Sequence, residues 1–83
     1  MIYEVVLTKR ASSDLKRLDR YTQKRIVEKL QFFANNPLNY ADKLKDFEIG
    51  KYRFRIGTYR AVFDLDGSKV VVLRIGHRRE IYR

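Results

Sequence analysis

The first apolar run, Ile2-Tyr3-Glu4-Val5-Val6-Leu7, is β-branched and aromatic and predicts an opening strand. Thr8 follows as a candidate helix cap. Ala11, Leu15 and Leu18 then recur at spacings of four and three, the repeat of one helix face. Asp19 is a second candidate cap. Beyond it Ile26, Val27, Leu30, Phe33 and Ala34 make the apolar stripe of a longer helix, with Lys24, Arg25, Glu28 and Lys29 outside it. Asn35-Asn36-Pro37 closes that helix, because proline disfavours the helical region for the residue before it. So short a break between the two periodic segments predicts an antiparallel helical hairpin.

Residues 38–50 read as an irregular connector. From there the period changes to two. Tyr52, Phe54 and Ile56 alternate with Lys51, Arg53 and Arg55, giving an apolar face and a basic face. Gly57-Thr58 offers a tight turn. Tyr59, Ala61, Phe63 and Leu65 form the next apolar face, with Arg60, Val62 and Asp64 opposite. Asp66-Gly67 is a hairpin signal. Val70 to Ile75 is the most apolar strand, with Arg74 facing opposite to Leu73 and Ile75. The order β-α-α-β-β-β predicts an α+β fold: one domain over residues 1–83, a small antiparallel sheet with the helical hairpin on one face.

Composition narrows the function. The 83 residues hold no cysteine and one histidine, which removes disulfides, thiolate chemistry and a protein-ligated structural zinc. That usage, with no signal-peptide pattern and no run approaching 18 apolar residues, fits a soluble cytoplasmic module with no membrane partner. Nineteen Lys and Arg against 10 Asp and Glu give a net charge of +9, which favours polyanionic partners. The excess is uneven. Residues 1–50 carry 10 basic and 7 acidic side chains, and residues 51–83 carry 9 and 3.

Topology gives that charge a place. With the helices covering Tyr52, Phe54, Ile56, Tyr59, Ala61 and Phe63, the residues Arg53, Arg55 and Arg60 share the open face, and Arg74 joins them from the last strand. Lys51 and the tail Gly76-His77-Arg78-Arg79-Glu80-Ile81-Tyr82-Arg83 flank a phosphate-binding surface. The acidic residues are scattered, so two-metal hydrolysis lacks its carboxylates, and no glycine-rich phosphate loop is present. Metal-free RNA cleavage fits better. There the substrate's 2′-hydroxyl is the nucleophile, and the protein supplies positioning, positive charge and proton transfer. Arginines suit the charge, because they stay protonated and fork onto phosphate oxygens. His77 is a candidate base and Tyr82 a candidate proton donor or base-stacking group.

Two stretches, Tyr52-Arg53-Phe54-Arg55-Ile56-Gly57-Thr58-Tyr59-Arg60-Ala61-Val62-Phe63 and Val71-Val72-Leu73-Arg74-Ile75-Gly76-His77-Arg78-Arg79-Glu80-Ile81-Tyr82, together resemble the RelE/ParE superfamily of toxin–antitoxin systems. They are most similar to its RelE branch, the ribosome-dependent mRNA interferases. Length and element order match as well, although residues 9–50 contribute little beyond helix pattern. The resemblance implies a RelE-like fold that enters the ribosomal A site and cleaves the codon there. The 2′-hydroxyl attacks the adjacent phosphate and leaves a 2′,3′-cyclic phosphate, with no cofactor. By position it implies catalytic roles for Arg53, Arg55, Arg60, Arg78 and Tyr82. The basic face itself adds candidate RNA contacts at Lys51, Arg74, Arg79 and Arg83, and the resemblance adds partners in mRNA, rRNA and an acidic RelB-like antitoxin.

One departure matters. Better-known RelE enzymes place lysines where Arg53 and Arg55 stand, and an arginine cannot act as a base. His77 is then the first candidate base, with Asp42 in the connector as the second. Two other readings stay open: a ParE-type inhibitor of DNA gyrase, and a non-catalytic RNA-binding module.

Overall fold

A computed structural model of the chain describes residues 2–45 and 49–82. Both expected caps form. Thr8 precedes helix α1 (Lys9–Lys16), and its Oγ1 accepts the Ala11 N–H at 3.1 Å while donating to the Leu73 carbonyl at 3.2 Å. Asp19 precedes helix α2 (Arg20–Phe33). Its carboxylate accepts the Thr22 N–H at 3.1 Å and the Thr22 hydroxyl at 2.6 Å. Each cap satisfies an N–H that the first helical turn leaves without a partner. The Thr8 cap also fixes where α1 starts relative to the sheet.

The strands are β1 (Glu4–Leu7), β2 (Ala41–Lys43), β3 (Tyr52–Ile56), β4 (Tyr59–Asp66) and β5 (Lys69–His77), in sheet order β1-β5-β4-β3-β2. Gly57 and Gly67 open the two hairpin loops with φ near +60°, the conformation that makes a tight hairpin turn follow strand twist. Ala11 and Leu15 of α1 and Ile26 and Leu30 of α2 pack on Phe54, Ile56, Ala61, Phe63, Val70, Val72 and Ile75. The Phe54 and Phe63 rings, diagonal neighbours on β3 and β4, stack with centroids 4.1 Å apart. Each is fully buried, worth roughly 1.5–3 kcal/mol of transfer free energy.

The α+β class and the helical hairpin on one face match the pattern. Three particulars differ. The connector is not wholly irregular: it contains a short helix α3 (Pro37–Tyr40) and the three-residue strand β2, antiparallel to β3 with Asp42 opposite Arg53. Three residues are too few to show a period, and β2 is recruited by the unpaired backbone edge of β3.

Strand β1 pairs with β5 in parallel, Glu4 with Lys69 through Leu7 with Val72, so the sheet is mixed. A strand's side-chain alternation is the same in either direction, so sequence period does not reveal it. The third difference is a register break opposite Val62 and Phe63: Val62 pairs with Arg74 and Phe63 with Val72, leaving Leu73 unpaired. The bulge turns Leu73 away from the core that holds Val72 and Ile75. Leu73 meets Val62 instead, beneath Gly50, where an added Cβ would lie 2.8 Å from Val62 Cγ1 and 2.9 Å from Leu73 Cδ1.

Candidate functional site

On β3, alternation sends Phe54 and Ile56 into the core and leaves Arg53 and Arg55 on the face away from the helices. Arg60 sits directly opposite Arg55 in the β3–β4 ladder. Like charges directly opposite destabilise a sheet, so this pairing carries an electrostatic cost that a bound anion would relieve. Arg60 is part-buried, and its Nη1 donates to the carbonyls of Gly57 at 2.9 Å and Tyr59 at 2.8 Å. Burial is the largest influence holding the Arg60 guanidinium below its ordinary pKa. The charges of Arg53, Arg55 and Arg78 act the same way, against an opposing effect of Tyr82. Four guanidinium groups and one phenol therefore share a single patch.

Asp42 enters the patch from β2. Its Oδ2 lies 3.2 Å from Arg53 Nε and 3.0 Å from Arg55 Nε. Arg53 is held on two sides, because its Nη1 also donates to the Tyr82 hydroxyl at 3.1 Å. The Tyr82 contact is the main reason the Arg53 pKa is raised, with Asp42 adding to it against desolvation. The Arg55 side chain is 62% exposed, so water screens its ion pair and leaves the group ready to exchange Asp42 for a phosphate. Asp64, on the same side of β4, accepts the Lys51 N–H at 2.7 Å.

The remaining expected residues divide. Arg78 donates its backbone N–H to the Thr58 carbonyl at 2.8 Å, which brings the tail against the β3–β4 turn beside the patch. Arg79 and Lys51 are exposed at its margins, and Arg83 lies outside the described residues. Arg74 does not join the open face. Its Nε is bound at 2.8 Å by Asp14 of α1, and the two side chains are 20% and 12% exposed. Asp14 also accepts the Ile75 N–H at 3.0 Å, so α1 seals the stretch of β5 edge that β1 does not reach. The sequence gives no sign of this pair, whose members stand 60 positions apart.

His77 is likewise displaced from the expected place. It pairs with Tyr59, and the two rings meet edge to face at 5.8 Å. Tyr59 packs against the core on the helix side of the sheet. The imidazole therefore lies across the sheet from Arg53, Arg55 and Arg60, in a cleft of about 360 Å³ lined by Asp14, Arg17, Leu18, Tyr59, Arg74 and Glu80 among others. Asp42, among the described residues, is the carboxylate bound to Arg53 and Arg55, and its position opposite Arg53 became visible only with β2. Among the described residues, no three His, Asp or Glu side chains gather to hold a metal ion, and no helix is long and apolar enough to cross a membrane.

Residues 5–82 match the family described as the ParE toxin of the type II toxin–antitoxin system parDE. The chain is 34% identical to toxin RelG of Mycobacterium tuberculosis, covering all of this chain and 99% of that protein. It is 31% identical to toxin RelE3 of Methanocaldococcus jannaschii over 95% and 94% of the two chains. Among solved structures, the RelBE2 toxin–antitoxin complex of M. tuberculosis superposes with a TM-score of 0.83 at 32% identity, covering 94% of this chain and 100% of that one. The RelB–RelE complex of Methanococcus jannaschii gives 0.71 at 28% identity, over 93% and 94%. With this sheet, this arginine patch and relatives matched end to end, the chain belongs to the RelE/ParE family of type II toxin–antitoxin toxins.

Proposed function

We propose that the chain is an mRNA endoribonuclease that works without a metal ion on the codon in the ribosomal A site, held in check by an acidic antitoxin. The observation that carries this reading is the Arg55–Arg60 pair, flanked by Arg53, Arg78 and Tyr82 on the helix-free face. A patch built against its own electrostatics is suited to the charge of a phosphorane, whose stabilisation by preorganised donors is commonly the largest catalytic effect. The 2′-oxygen attacks the adjacent phosphorus, the bond to the 5′-oxygen breaks, and a 2′,3′-cyclic phosphate and a 5′-hydroxyl result. Guanidinium groups hold the non-bridging oxygens. Asp42 takes the 2′-hydroxyl proton, and Tyr82 stacks on a base or supplies the proton that the leaving oxygen needs.

The antitoxin in this reading covers the same face with carboxylates in place of phosphates, as a segment that folds on binding. The test is primer extension on translated mRNA after induction without the antitoxin. New 5′ ends inside codons, lost in Arg60→Ala, support it. Intact transcripts with DNA damage would instead favour gyrase inhibition, the second reading, to which the ParE description of the matched family points.

A further inference from the structure

The sheet separates His77 from the arginine patch, yet three backbone N–H groups of the tail end on this one residue. Glu80 and Ile81 donate to its carbonyl at 2.9 and 3.0 Å, and Arg79 donates to its Nδ1 at 3.2 Å. A side-chain acceptor taking the N–H two residues on is the geometry of an Asx turn, here made by an imidazole. The turn closes over Gly76. Ile81 is 1% exposed, and its Cβ lies 3.5 Å from where a side chain on Gly76 would begin. Residues 78 and 82, on either side of these anchors, emerge toward the other face. Arg78 is fixed to Thr58, and Tyr82 meets Arg53 at 3.1 Å.

We infer that His77 is a positioning residue: its Nδ1, as an acceptor, caps the tail turn and so delivers Arg78 and Tyr82 to the arginine patch, without taking part in proton transfer. The catalytic consequence rests on the nuclease reading, whereas the hold on the tail does not. A base and a cap make opposite demands on a replacement. Asparagine cannot take a proton from the substrate, but its side-chain oxygen accepts the N–H of residue i+2 readily. Alanine does neither. A tail displaced by about 1 Å costs on the order of 10²-fold in rate.

The experiment compares wild type, His77→Asn and His77→Ala in two measurements. Amide exchange and ring contacts by NMR report the tail, and cleavage of translated mRNA reports activity. His77→Ala is expected to lose protection at the Arg79 amide and the Tyr82–Arg53 contact, with cleavage down about 10²-fold. His77→Asn should keep the tail in place and cleave within a few-fold of wild type. A tail unmoved in His77→Ala, or His77→Asn as inactive as His77→Ala with its tail in place, overturns the inference; the second result returns His77 to proton transfer. Should alanine prevent folding, the imidazole nitrogen shifts of the wild-type protein decide, since a proton on Nδ1 is incompatible with the cap. If wild type cuts no mRNA while the tail responds as expected, the nuclease reading fails and the capping role stands.

Discussion

Arg60 offers a separation of stability from activity. Replacing it by alanine removes two bonds to turn carbonyls, at 2.9 and 2.8 Å. At a part-exposed site each is worth about 0.5–1.5 kcal/mol net. The same change relieves burial of a charge and its repulsion from Arg53, Arg55 and Arg78. Near a surface, pairwise charge effects run to about 0.2–1 kcal/mol each. The two contributions nearly cancel, so Arg60→Ala should unfold within about 1 kcal/mol of wild type. Cleavage should fall about 10²–10³-fold, the loss expected from one donor to the developing charge.

Salt sharpens the comparison. At 1 M salt the screening length is about 3 Å, repulsion disappears while the lost hydrogen bonds remain, and the variant should become the less stable protein. Urea unfolding at low and high salt, beside single-turnover cleavage, measures all three quantities. A loss of more than about 2 kcal/mol at low salt, on the scale of a core disruption, contradicts this balance. Cleavage that survives in the variant contradicts the role of Arg60 in holding the phosphate.

Asp42→Asn should move binding and catalysis in opposite directions. Without the carboxylate, Arg53 and Arg55 both meet phosphate, so single-stranded RNA binds more tightly and log K against log salt steepens by about 0.7 per added contact. Cleavage should slow by about 10²–10⁴-fold for want of a base; anisotropy titrations and single-turnover rates together check both signs. Asp19 gives a pH-dependent readout. Its folded pKa lies below the ordinary 3.8, first because the Thr22 hydroxyl bonds the ionised form and then because the Thr22 N–H does. A depressed carboxylate stabilises the fold fully above 3.8 and loses that contribution as pH falls through the lower folded value. The thermal midpoint of Asp19→Ala should therefore fall below wild type at pH 7, with the gap narrowing below pH 4; a gap constant with pH contradicts the assignment.

The stability of this sheet face depends on an unusual balance. Arg53 is stabilised by contacts to Tyr82 and Asp42, whereas Arg60, directly opposite Arg55, is opposed by its neighbours. A single carboxylate serves two of the guanidinium groups. A bound polyanion would settle the charge of all four together, so under the proposed function one surface takes an RNA backbone and an acidic protein segment in turn.

The chain determines by itself whatever local spacing encodes. Thr8 and Asp19 are caps because each stands just before a helical apolar period, and both form. Phe54 and Ile56 face the core and Arg53 and Arg55 face away because alternation in a strand is a property of consecutive residues. Arg55 and Arg60 meet because a two-residue loop fixes the register of a hairpin. Tertiary structure decided what lies between distant residues or below the length at which a period can be read. Asp42 reaches the arginines through a three-residue strand. Asp14 withdraws Arg74 across 60 positions, and β1 chooses β5 and a parallel direction. His77 illustrates the same division. A sequence states which chemistry a residue carries, and alternation from Ile75 gives its side of the sheet, but the three tail amides that end on it appear only in the folded turn.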